Sequence, residues 1–140
     1  MVRGVLPLIL LFVGGGLGSL ARHGVALLHD AIRPLQTAEH HASRFPFATL
    51  AVNVLGCMAI GFIAERIGSR EMLRLALLTG LLGGFTTFSA FGLDAVRLLT
   101  AGRPAQAIVY VLITNAAGLA ACYVAYAASG GGPPVGLETD

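Results

Sequence analysis

Four long apolar runs, separated by the chain's few charges, constrain this sequence more than any other feature. Gly4 to Ala21 has no charged residue, and the apolar pattern continues past Arg22 to about Leu28. Further runs cover about 47–64, 72–96 and 105–128, and the stretch Leu75 to Leu93 is charge-free. Roughly 20 mostly apolar residues suffice for a helix to cross a bilayer. The expected fold is therefore an all-α integral membrane protein with four transmembrane helices, spans at about 5–28, 47–64, 72–96 and 105–128. Residues 1–128 form one transmembrane domain, and 129–140 (SGGGPPVGLETD) read as a flexible tail. A cleaved signal peptide would be followed by a polar mature domain, and none follows the first run. Pro104 suits the first turn of the fourth helix, where a missing N–H costs nothing.

Composition excludes several classes. Only 11% of the 140 residues are charged, against about 25% in a soluble domain, and mean hydropathy is +0.80. Too little polar surface remains to cover a soluble globule, which removes soluble enzymes, nucleic-acid binders and disordered tails. Four short helices are too few to enclose a wide pore, so any solute path is expected to involve a second subunit. Cys57 and Cys122 lie inside spans 2 and 4 without metal-site or redox spacing and read as packing residues.

All nine basic residues are Arg, and their distribution is balanced. Arg3, Arg66, Arg70 and Arg74 fall on one side of a four-span chain; Arg33, Arg44, Arg97 and Arg103 fall on the other. Arg and Lys bias sets membrane orientation, so a tie leaves it undecided. Insertion both ways up, with opposed copies pairing as an antiparallel dimer, is the expectation.

Span 3 holds the least helical sequence, Gly80 to Phe91 (GLLGGFTTFSAF). Paired Gly before paired Thr weakens a helix, so a break near the middle of this span is expected. A break in lipid frees backbone groups that protein, water or an ion must satisfy. Carbonyls at Gly83 and Thr86 would suit a cation, and the hydroxyls of Thr87 and Ser89 an anion; close helix packing by small residues is an equal alternative. Phe88 and Phe91 share a helix face; core or lipid contact is the ordinary reading of such a pair, and an anion path along their electropositive edges is the alternative. Asn53, in mid-span 2, needs hydrogen-bond partners, as helix glue or as a pore donor. In span 1, Gly14 and Gly18 have the spacing of tight crossings, and Arg22 is either a vestibule charge or a snorkelling anchor. In span 4, Tyr110, Thr114 and Gly118 share a face, which reads as a polar track or as interhelical bonding.

No Asp, Glu or His lies in the middle of a span, which counts against a proton-coupled small exporter. No nucleophile–base pair or metal-ligand cluster occurs, so the chain is not expected to be an enzyme. The alternative reading is a small dual-topology exporter or a membrane scaffold without ion conduction.

Three stretches, GGGLGSLAR (Gly14 to Arg22), NVLGCMAIGF (Asn53 to Phe62) and GLLGGFTTFSAFGLD (Gly80 to Asp94), closely resemble the Fluc fluoride channel family, also called CrcB. The resemblance covers about Val5 to Ala128. It implies a dual-topology antiparallel homodimer in the cell membrane, conducting fluoride passively out of the cytoplasm through two interfacial pores and conferring fluoride resistance. By motif position, Phe88 and Phe91 would offer ring edges to fluoride, Asn53 would be a polar pore group and Arg22 would sit at the vestibule. Gly83 and Thr86 would lend backbone carbonyls to a central Na+ that is structural and not transported. Expected partners are a second copy, fluoride and the lipid bilayer.

Overall fold

The computed structural model describes residues 4–32 and 45–132. Arg3, the segment holding Arg33, His40-His41 and Arg44, and the tail beyond Gly132 lie outside the described residues. Helix α1 is Val5–Ile32 and α2 is Phe47–Ile67. The third span, Glu71–Thr100, has two halves. The leading half, α3 (residues 71–85), contains a π-helical stretch, Arg74–Leu82, between short α segments Glu71–Leu73 and Gly83–Phe85. The trailing half, α4, is Phe88–Thr100, and α5 is Pro104–Ala128 with Pro104 in its first turn.

Among the described residues, four helical segments are long and apolar enough to cross a membrane. α1 runs four residues past Leu28, taking His29 and Asp30 into its last turns. Apolar patterning marks the hydrocarbon-crossing part of a helix, and the backbone stays helical beyond it. The turns are short because Gly68 (φ 58°) and Gly102 (φ 72°) adopt left-handed backbone that other residues disfavour. Arg74 Nη1 reaches the carbonyls of Ala64 and Gly68 at 3.4 Å each, placing positive charge on the α2 C-terminus.

Packing pairs α1 with α3 and α2 with α5, while α4 lies on α5. The α1–α3 contact is backbone on backbone. A Cβ on Gly14 would stand 2.7 Å from the Ala76 carbonyl oxygen, and one on Gly18 would collide with that of Leu81. The core is small: Val52, Leu98 and Tyr110 are the largest fully buried side chains. Outward faces of every span carry exposed Leu, Ile, Val and Phe, as a bilayer permits.

Backbone contact makes Gly18 the least replaceable of the α1 glycines. Gly18→Val is expected to cost about 3 kcal/mol through overpacking, read as a lower unfolding temperature of the detergent-purified protein. Gly16→Ala is the control, because a Cβ there meets nothing within 4 Å.

Candidate functional site

The helix stops at Thr86 (φ −77°, ψ 159°) and restarts after Thr87 (φ −152°, ψ 116°). Thr87 caps the new helix: its Oγ1 accepts from the Ala90 N–H at 3.1 Å. Thr86 Oγ1 donates back to the Leu82 carbonyl at 3.0 Å. A β-branched pair thus favours the extended backbone and also caps both ends of the break.

Asn53 supports the break from α2. Its Nδ2 donates to the Thr87 carbonyl at 3.1 Å, and its Oδ1 accepts from the Thr87 N–H at 2.9 Å. One side-chain amide satisfies both backbone groups of a residue that has left the helix. That Thr87 N–H is the one a continuous helix would give to the Gly83 carbonyl. α1 supplies the opposite side. Arg22 Nη1 donates to the Thr86 carbonyl at 3.2 Å, and Ser19 Oγ lies 3.5 Å from the Gly84 carbonyl. Cations and donors at a helix C-terminus complement its dipole.

Two cavities flank the break. A groove of about 340 Å³ holds Asn53, Gly83, Thr86, Phe88, Phe91 and Thr114 in its wall, and a cleft of about 370 Å³ is lined by Ser19, Arg22, His23 and Thr49. Thr87 lines both. Phe88 and Phe91 stand with ring centroids 5.5 Å apart. Phe91 is buried, whereas Phe88 is 83% exposed on the single chain.

Most sequence-derived candidates meet here, with two exceptions. Tyr110 is 0% exposed and lines neither cavity; its ring backs Phe91 at 5.2 Å. Ser89 comes within 3.3 Å of the Thr87 hydroxyl but also lines neither. Thr114 is on the groove wall, and its hydroxyl donates to the Tyr110 carbonyl one turn back at 2.7 Å. Sequence reasoning missed Thr49 and Asp94. Their side chains bond at 2.7 Å between α2 and α4, with Arg97 3.7 Å from the same carboxylate. In the sequence Asp94 only ends the charge-free stretch Leu75 to Leu93, and only the alignment of α4 against α2 reveals the pair. Among the described residues, no group of three or more His, Cys, Asp or Glu could hold a metal ion.

The family model for CrcB-like protein, Camphor Resistance (CrcB), matches residues 9–126. The chain belongs to the CrcB family. A relative from Methylobacterium sp. (strain 4-46), named fluoride-specific ion channel FluC, is 41% identical over 127 residues, spanning 88% of this chain and 95% of its own. A protein of the same name from Paracoccus denitrificans (strain Pd 1222) is 46% identical over 111 residues, 78% of this chain and 82% of its own. A third, fluoride-specific ion channel FluC 2 from Symbiobacterium thermophilum, is 44% identical over 115 residues, 79% and 87% respectively. This CrcB chain is accordingly a multi-pass membrane protein of an ion channel family and not an enzyme. The match contains the whole break and every residue that holds it.

Proposed function

We propose that this chain forms a fluoride-selective channel that lets cytoplasmic fluoride leave passively, reducing its toxicity. The working unit is an antiparallel, dual-topology homodimer with two pores along its interface. The observation that carries the reading is the break at Thr86–Thr87 beside an aromatic pair whose outer ring, Phe88, is 83% exposed. A second copy laid against this face would enclose the open groove. The names of the relatives supply the anion.

The lining suits a small, strongly hydrated anion. Ring edges of Phe88 and Phe91, the second N–H of Asn53 and the Thr87 hydroxyl offer partial positive charge without a full counter-charge; Thr114 would join them only by turning its O–H from the Tyr110 carbonyl. A selective pore must replace hydration yet release the ion. Arg22 and His23 in the second cavity mark a mouth, and the fixed Arg charge concentrates anions there.

The residues present fit a structural sodium ion. The Asn53 bond leaves the Gly83 carbonyl without its amide partner, and the Thr86 carbonyl leaves the helical direction at the break. Carbonyl oxygens are ligands of hard cations. Two from each copy would form a cage, and a bound cation would supply positive field between the pores.

Purified protein in proteoliposomes, followed with a fluoride electrode under a fluoride gradient, is expected to discharge fluoride without ATP. Chloride discharge under the same gradient is expected to stay at the level of empty liposomes. Equal chloride and fluoride fluxes would overturn the selectivity.

A further inference from the structure

Among the described residues, Arg22 is the one cationic side chain bonded at the break, and its position there differs from that of a free charge at a mouth. Its Nη1 is bonded to the Thr86 carbonyl oxygen at 3.2 Å, and the residue is half-buried. Ser19, one turn earlier on the same face of α1, lies against the Gly84 carbonyl at 3.5 Å. α1 therefore closes the C-terminal end of the leading half-helix by side-chain donation.

The same oxygen belongs to the proposed cation cage. A carbonyl has two lone pairs, so a guanidinium and a metal cation can share it, but only as like charges on one atom. We infer that Arg22 is a positioning residue that holds the Thr86 carbonyl in place and, by competing for its oxygen, weakens sodium binding at that carbonyl. The inference rests on the sodium reading given above. In an antiparallel pair two such guanidinium groups would border one cage, one from each copy. The site would then bind sodium less tightly than its carbonyls alone allow. Arg22 would hold the broken backbone in place whether or not sodium is bound. Loss of Arg22 thus has two opposite signatures: tighter sodium binding and a less well-held break.

The experiment titrates sodium chloride into the detergent-purified full chain at constant ionic strength, with N-methyl-glucamine chloride as the balancing salt. The readouts are the unfolding temperature and the ²³Na NMR linewidth, neither of which depends on flux. Removing a neighbouring unit charge is expected to lower the sodium midpoint of Arg22→Gln by about tenfold or more. Arg22→Lys retains the charge and is expected to stay near the wild-type midpoint. If Arg22→Gln does not fold, Arg22→Met tests the same loss of charge with a longer apolar stem. A midpoint in the uncharged variant equal to or above wild type would overturn the competition and leave the sodium site standing. No sodium dependence in the wild type would overturn both.

Discussion

Phe88→Ile is expected to cut fluoride flux by about thirtyfold while the protein remains folded and assembled. The substitution keeps an apolar side chain at a position that is 83% exposed on the single chain, so little intrachain packing is lost. What disappears is the electropositive ring edge. A cation over a ring face in a desolvated site gains about 2 kcal/mol; an anion at the electropositive edge is taken as comparable, and 1.36 kcal/mol corresponds to tenfold in rate. The measurement is initial fluoride efflux from proteoliposomes, beside size-exclusion elution of the same sample. Normal efflux would remove Phe88 from the pore. Lost efflux with altered elution would mean that Phe88 acts through assembly. Phe91 makes a poorer test, because it is buried against Tyr110 at 5.2 Å and its loss would leave a cavity.

Asn53→Leu is expected to be more damaging to the fold. Leu is close to Asn in size but makes neither hydrogen bond, so the Thr87 N–H and carbonyl lose their partners together. Each unmet buried group costs about 1–3 kcal/mol; Thr87 is half-buried, so the pair costs about 2 kcal/mol, the low end for two groups. The unfolding temperature in detergent should fall well below wild type, with flux lost as well. Asn53→Asp separates the two bonds, because a carboxylate still accepts from the Thr87 N–H but cannot donate to its carbonyl. It is expected to fall between the two. An unfolding temperature of Asn53→Leu equal to wild type would show that the break does not depend on this clamp.

Residues of different kinds account for what was and was not legible in the chain. Spans and break were readable because each is written locally: charges bound the apolar runs, and Gly-Gly-Phe-Thr-Thr is poor helix wherever it occurs. The sharing of a face by Phe88 and Phe91 was readable for the same reason. The partners of the break were not. Asn53 and Thr87 are 34 residues apart and Arg22 and Thr86 are 64 apart, and no periodicity within one helix encodes a contact between two. Asn53 and Arg22 stood out as polar residues needing partners, but which backbone groups they serve depends on tertiary packing. Tyr110 shows the converse limit. Helical spacing aligned it with Thr114, yet the packing of Phe45 and Phe91 on its ring buries it away from both cavities.

The π-helical stretch Arg74–Leu82 makes residue number matter as much as residue identity in the third span. A π turn closes its hydrogen bond over one more residue than an α turn. Dropping a single residue there would let the stretch relax to ordinary α-helix. In regular α-helix each residue gained or lost swings everything downstream by about 100° around the axis, but a loss absorbed by this relaxation leaves the downstream register nearly unchanged. Thr86 and Phe88 lie directly downstream, so a one-residue deletion taken up by this relaxation would leave them at the groove, whereas a one-residue insertion in the following α turn would turn them away. Side chains between Arg74 and Leu82 can drift among apolar types, and the stretch carries one residue of slack in length before the groups that follow are turned.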